Sequence, residues 1–197
     1  MPFNRSRNYE KSLKNRELNL VRSIESSIHS DNIEAVMKKY PQLPLSANRN
    51  NLFKFALTSL SIQSANYLYK ELKQEERSIT FNPINSQLAL SVLKECKFEN
   101  VYECHILMNS LNGGEVFTEK ELPQVKNILI QRFIEPTKIE ANRERLTALF
   151  NHIEEGYFNI DNVIEVIENV YKNKEHLKHL VVSPFREFKL NKILYEQ

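Results

Sequence analysis

Glycine is scarce in this chain, whose 197 residues include only Gly113, Gly114 and Gly156. Phosphate-binding loops and dinucleotide-binding turns depend on glycine, because only glycine adopts their backbone angles without strain. The scarcity therefore disfavours nucleotide-binding enzymes. It indicates packed helices joined by simple connections.

Cysteine is also scarce, and long apolar runs are missing. The chain has two cysteines, Cys96 and Cys104, both within predicted helices. That number excludes a disulfide framework and predicts an intracellular, reducing compartment. No apolar run approaches the roughly 20 residues that a membrane-spanning helix requires. The opening segment MPFNRSRNYEKSLKN has no apolar region of the kind found in secretory signal peptides.

The formal net charge of +2 hides a gradient along the chain. Residues 1–22 contain six basic and two acidic residues, and residues 172–197 contain six basic and three acidic residues. The segment between them contains 15 basic and 20 acidic residues. Basic ends predict contact with an acidic partner, nucleic acid or an anionic membrane surface. Solvated helix ends explain the same pattern without a partner.

Apolar residues recur at helical spacing (i, i+3, i+4, i+7) throughout, which predicts an all-α protein of about ten helices. The clearest interruption is LNGGEVF (111–117). We therefore divide the chain into a flexible arm (1–9), a repeat-like helical half (10–112) and a second helical half (118–197). The two halves are expected to pack together as one unit.

Capping residues and prolines predict several helix boundaries. Thr118 and Glu121 have the spacing of a capping box. Ser30 or Asp31 is expected to cap the second helix, and Asp161 a helix near the end of the chain. Pro184 is expected to interrupt the last helical segment, because proline lacks the amide hydrogen that a helix interior uses.

Helix pairs recur in the first half. Phe53 in the third predicted helix and Leu88 in the fifth are 35 residues apart, a step typical of stacked helix pairs. The segments NLFKFALTSLSIQSANYLYKEL (51–72) and SQLALSVLKECKFENVYECHILMNSL (86–111) resemble degenerate ankyrin repeats. Both lack the Thr-Pro-Leu-His opening and the hairpin finger of that family. Leu60 replaces the glycine expected between the two helices of the first unit.

The ankyrin resemblance covers about residues 31–111 and implies a protein-binding scaffold of stacked antiparallel helix pairs. An irregular helical bundle is the alternative fold. Degenerate ankyrin-like units in a chain rich in Asn, Lys and Ile also resemble those of effectors that intracellular bacteria inject into host cells. This second resemblance implies a host-cell protein as partner, and secretion without a classical-type signal peptide.

Two tyrosines are the predicted partner-binding residues. Tyr67 and Tyr102 lie off the apolar face of their helices and are separated by the same 35-residue step. In a stacked array they would lie side by side, with Asn66 and Lys70 next to Tyr67. Tyrosines in such positions are typical of protein interfaces. The alternative is that each tyrosine covers the neighbouring helix.

No catalytic residue and no cofactor are predicted. Cys104 and His105 are adjacent on a helix, where neighbouring side chains do not face each other, so a core cysteine is favoured over a nucleophile. His176 and His179 are one turn apart and could share a metal ion, but no further ligand is evident and lysines flank them. An enzyme whose site is assembled from distant residues is the alternative to the scaffold.

Overall fold

The computed structural model describes residues 3–44, 48–75, 82–135, 143–171 and 176–195. These ranges contain ten α-helices and no strand, so the prediction of an all-α protein is confirmed. The helices are α1 (Phe3–His29), α2 (Ile33–Lys39), α3 (Asn48–Thr58), α4 (Ile62–Glu75), α5 (Ser86–Glu95), α6 (Val101–Asn112), α7 (Leu122–Phe133), α8 (Arg143–Glu154), α9 (Ile160–Val170) and α10 (His176–Tyr195). Single 3-10 turns occupy Tyr40–Gln42 and Phe98–Asn100.

The chain divides into two compact units. Unit 1 comprises Met1–Cys96 and Glu103–Val116, and unit 2 comprises Lys97–Tyr102 and Phe117–Gln197. The division after Val116 lies close to the interruption that the sequence predicts. The assignment of Lys97–Tyr102 to unit 2 has no counterpart in the sequence analysis.

The first helix begins earlier than predicted. α1 starts at Phe3, within the segment that we expected to be a flexible arm (1–9). Residues 3–29 contain neither glycine nor proline, so nothing in that segment stops a helix.

Asparagines cap two helices for which the sequence analysis named other residues. The Asn32 side chain accepts a hydrogen bond from Ala35 N at 3.0 Å, so Asn32 caps α2 in place of Ser30 or Asp31. The side chain of Asn159, two residues before Asp161, caps α9 by accepting from the Asp161 amide at 2.9 Å. Both predictions were wrong because neighbouring polar residues compete for one cap position.

The predicted capping box before α7 is confirmed. Glu121 Oε2 accepts from Thr118 N at 2.9 Å, and Thr118 Oγ1 accepts from Glu121 N at 3.3 Å. The predicted interruption at Pro184 was wrong, since α10 continues through it. Buried side chains lie on both sides of the proline along one face of α10, and their packing outweighs one missing backbone hydrogen bond.

Unit 1 contains two helix pairs whose helices are connected in the same way, through a short connection that we call the joint. Asp31 joins α1 to α2 and Leu60 joins α3 to α4, and both adopt left-handed backbone angles, with φ of 51° and 53°. The next amide donates five residues back in each case, from Asn32 to Ser27 O at 2.8 Å and from Ser61 to Ala56 O at 3.0 Å. Positions 29 residues apart are buried in both pairs: Ile24 and Phe53, Ile28 and Leu57, Val36 and Ala65, Tyr40 and Tyr69.

The two pairs stack in layers. α1 packs on α3, α3 packs on α5, and α2 packs on α4. First helices therefore contact first helices, and second helices contact second helices, as in a helical repeat. In this stack Leu60 occupies the left-handed position where glycine is usual.

Unit 2 is built around aromatic side chains. α7 packs on α8 and α9, α10 contacts the same two helices, and the turn Phe98–Asn100 lies on α8. The ring of Phe133 lies 4.9 Å from that of Phe98 and 5.7 Å from that of Phe158, centroid to centroid. Edge-on ring contacts of this kind add to the stabilisation that burial provides.

Candidate partner-binding surface

The outer side of α2 and α4 in unit 1 exposes large apolar side chains. Met37 on α2 is 51% exposed and Ile62 on α4 is 57% exposed. Other sides of the same helices are buried, through Val36 and Leu68 among others. Because α2 packs against α4, we treat their outer side as one surface. The α2/α4 face comprises Met37, Ile62, Asn66, Tyr67 and Lys70.

Three of these residues form one row along α4. Ile62, Asn66 and Lys70 follow each other at i, i+4 and i+8, which places them on the same side of the helix. Lys70 is exposed and Asn66 is half-buried. The Asn66 Nδ2 donates to the carbonyl of Ile62 at 2.9 Å, and this bond holds the amide flat against the helix. The row therefore combines an apolar end with a cationic end.

Tyr67 lies at the edge of this row and is half-buried. Its ring meets that of Tyr40 edge-on, with 5.9 Å between the centroids. Burial raises the pKa of Tyr67, and Glu71 adds to the rise while Arg49 opposes it. The ring thus joins α4 to the turn that follows α2, so the structure gives Tyr67 a packing role.

Arg49 contacts Tyr40 and the segment that follows it, next to Tyr67. Its guanidinium lies 4.7 Å from the centroid of the Tyr40 ring, pairs with Glu75, and donates to the carbonyls of Leu43 and Pro44. Burial raises the pKa of Tyr40, and Glu75 raises it further while Arg49 lowers it. Sequence analysis missed Arg49 because it stands in the polar run SANRNN, where nothing marks one residue as buried.

Tyr102 belongs to unit 2, whereas Tyr67 belongs to unit 1. Tyr102 is half-buried, and its ring lies 5.2 Å from that of Tyr157. The Nζ of Lys126 lies 5.1 Å from the centroid of the same Tyr157 ring. The single surface shared by both tyrosines stays a prediction.

The cysteines lie in the core of unit 1. Cys104 Sγ donates to the carbonyl of Leu57 at 3.3 Å, and Cys96 Sγ donates to the carbonyl of Leu93 at 3.6 Å. Both thiols are buried, and no disulfide joins them. Because His105 is also buried, the geometry favours structural roles for this group over nucleophilic catalysis.

Two clefts flank α8 in unit 2, with volumes of about 270 and 480 Å³. Both include Arg143 and Thr147. The other residues of the smaller cleft are mainly apolar: Leu146, Phe150, Pro184, Glu187 and Phe188. Those of the larger cleft are mainly polar: Glu99, Glu144, Ala148 and Asn151. Neither cleft is lined by a cysteine or a histidine, so neither matches an enzyme site built on Cys104 or a histidine.

His176 and His179 are exposed in the first turn of α10. Within the described ranges, no group of three or more His, Cys, Asp or Glu side chains could hold a metal ion. A zinc site needs at least three protein ligands. In that part of the chain the two histidines therefore form an exposed pair.

His152 is a buried polar residue that the sequence did not reveal. Only 1% of its surface is exposed, and its Nε2 lies 2.8 Å from the carbonyl oxygen of Phe98. Its Nδ1 lies 3.2 Å from Glu155 Oε2, and the rings of Phe133 and Phe158 pack edge-on against it. Because its main partner is a backbone carbonyl 54 residues away, no local pattern could have identified this contact.

Two arginines complete this cluster. The guanidinium carbons of Arg132 and Arg145 lie 4.2 and 4.4 Å from the centroid of the Phe98 ring. Burial lowers the pKa of Arg145, Glu135 opposes that effect, and Arg132 adds to it. Arg145 also donates to the carbonyl of Arg132. These contacts fix the Phe98–Asn100 turn to unit 2 and present no reactive group.

Comparison of the chain with protein-family models, with curated proteins and with solved structures found no match. Among the described helices, none is long and apolar enough to cross a membrane. The functional argument therefore depends on the residues of this chain alone.

Proposed function

We propose that the protein is a protein-binding scaffold and that the α2/α4 face is one of its binding surfaces. The observation that carries this proposal is the exposure of Met37 and Ile62, at 51% and 57%, on two helices that pack against each other. Methionine adapts its shape to different partners, and exposed apolar side chains with a polar rim are typical of interfaces. Asn66 and Lys70 supply part of that rim.

The stacking of α1–α2 on α3–α4 supports a repeat scaffold of this kind. In stacked helix pairs each pair covers the apolar side of its neighbour, which leaves a continuous outer surface for partners. The resemblance to degenerate ankyrin repeats supports the same function. We further propose, from the resemblance to injected bacterial effectors, that the partner is a host-cell protein.

The test is affinity capture with a paired control. The double variant Met37→Glu, Ile62→Glu places two charges on the α2/α4 face, and Ile106→Glu, Val170→Glu places two charges at other exposed apolar residues, which are 49% and 46% exposed. Each variant and the wild type are used to capture proteins from host-cell and bacterial lysates, and the binding of any stoichiometric partner is then measured. We expect the first double variant to lose at least about tenfold in affinity.

Unchanged affinity of the Met37→Glu, Ile62→Glu variant would exclude the α2/α4 face. Equal losses in both double variants would point to a general effect of added charge. Tyr67→Phe and Tyr102→Phe are tested singly, because the two residues lie in different units. Each keeps the ring contact and removes only the hydroxyl, so a loss of affinity without a loss of stability would assign that hydroxyl to the interface.

A further inference from the structure

One side of α1 carries a row of cations. Lys11, Lys14, Leu18 and Arg22 follow each other at steps of three, four and four residues, which places them on one side of the helix. All four side chains are exposed, and Leu18 is 47% exposed. The row, which we call the α1 basic row, extends over about 17 Å of helix.

The row lies outside the buried side of α1. The buried residues of α1 include Ile24 and Ile28, on the side that packs toward α2 and α3. On a helical projection their side lies about a third of a turn from the row. Within the described ranges, no ion pair involves Lys11, Lys14 or Arg22.

The surrounding sequence has the same charge. Residues 1–22 contain six basic residues and two acidic ones. The acidic residues, Glu10 and Glu17, fall outside the row on the helical projection, nearer to the side of Ile24. Between Lys11 and Arg22 no carboxylate lies on the line of the row, and Glu25, three residues after Arg22, lies at its end.

We infer that the α1 basic row docks the protein on an anionic phospholipid surface, with α1 lying along the membrane. The three cations complement anionic headgroups. Leu18, in the middle of the row, favours lipid over nucleic acid, because a leucine gains from entering the boundary between headgroups and acyl chains and gains nothing from a sugar-phosphate backbone.

The expected attachment is weak and reversible. A basic side chain near an anionic membrane strengthens binding about fivefold, so three of them strengthen it roughly 100-fold. At an ionic strength of 0.1 M, charge interactions at a surface are screened within about 10 Å, so binding should fall as salt is added. The row lies on α1 and shares no residue with the α2/α4 face, so the two proposals succeed or fail separately.

The test is co-sedimentation of the full chain with vesicles. One set contains phosphatidylcholine alone, and the other contains equal parts of phosphatidylcholine and phosphatidylserine. We expect the wild type to bind only the second set at low salt. The variant Lys11→Gln, Lys14→Gln, Arg22→Gln should lose roughly 100-fold in binding. The variant Leu18→Ser should lose several-fold without any change in charge.

A matched control removes the same charge elsewhere. Lys38, Lys94 and Lys97 are exposed and lie outside α1, and their replacement by glutamine should leave vesicle binding close to that of the wild type. Circular dichroism of each variant verifies the helical content. Failure of the wild type to prefer phosphatidylserine would overturn the proposal, as would an equal loss in the control variant. Binding to a DNA duplex with no binding to vesicles would overturn it in favour of nucleic acid.

Discussion

Units 1 and 2 use the same helix joint and fill the space beside it differently. In unit 1 the carbonyls that close the joints belong to Ser27 and Ala56. In unit 2, Gly156 takes the left-handed position, with φ of 76°, and the amide of Tyr157 donates to the carbonyl of His152 at 2.9 Å. The accepting residue is small in unit 1, where it is Ser27 or Ala56, and this allows the helices to approach closely. In unit 2 it is His152, whose large side chain has to be enclosed by its neighbours.

This difference separates two ways of building a core. Unit 1 repeats one joint. Ser61 Oγ donates to Asp31 Oδ1 at 2.8 Å between the two pairs, and Lys39 Nζ donates to Ser27 Oγ at 2.9 Å within the first pair. Unit 2 encloses His152 with aromatic rings and holds a turn from far earlier in the chain. Repetition suits an extended surface, and a central cluster suits a single compact core.

The largest expected effect comes from removing the centre of the unit 2 cluster. Phe133 is 1% exposed and contacts the rings of Phe98, His152 and Phe158. Phe133→Ala should lower the free energy of unfolding by about 3–5 kcal/mol. Hydrogen exchange should show the loss of protection in unit 2, measured against Leu57→Ala, for which we expect the loss in unit 1. Identical exchange profiles for the two variants would contradict the division into units.

A smaller effect concerns unit 1 at alkaline pH. The pKa values of Tyr40 and Tyr67 lie above the ordinary value of 10.0 in the folded protein. From about pH 10 upward the unfolded chain therefore loses these protons more readily, and the free energy of unfolding falls as pH rises. In the variant Tyr40→Phe, Tyr67→Phe the fall should be shallower, which urea titrations between neutral and alkaline pH would measure. An equally steep fall would show that neither hydroxyl is responsible.

The smallest expected effect compares the two joints directly. Leu60→Gly relieves a left-handed backbone and should raise the free energy of unfolding by up to about 1 kcal/mol. The loss of packing by the half-buried leucine side chain offsets part of this gain. Gly156→Ala should lower it by about 1 kcal/mol through backbone strain alone, since an added Cβ meets no atom within 4 Å. Thermal melts of both variants would reveal the opposite signs. Shifts of the same sign would show that the joints are not equivalent.

The sequence predicted what depends on local spacing. Helical periodicity identified the all-α fold, and the Thr118–Glu121 pair identified a cap, because both features involve residues within one or two turns. The interruption near Gly113 and Gly114 lies close to the division after Val116.

What the sequence could not predict depends on distant residues. The 29-residue relation between the joints was missed, because Asp31 and Leu60 share a backbone conformation and no side-chain chemistry. On the α2/α4 face, the sequence analysis named Asn66, Tyr67 and Lys70, and their role in binding stays a prediction; it did not name Met37, because the exposed side of α2 depends on packing. Arg49 and His152 are buried through contacts that no helical pattern encodes.

The contact between His152 and Phe98 also bears on the order in which the chain folds. Each joint of unit 1 closes within a few residues, so its helix pairs can form as soon as their own segments are available. The His152–Phe98 hydrogen bond closes a loop of 54 residues, and its entropic cost is met only when α8 is present. During synthesis from the N-terminus, we expect the α1–α4 pairs to assemble first, because His152, the partner of the Phe98 carbonyl, is synthesised later.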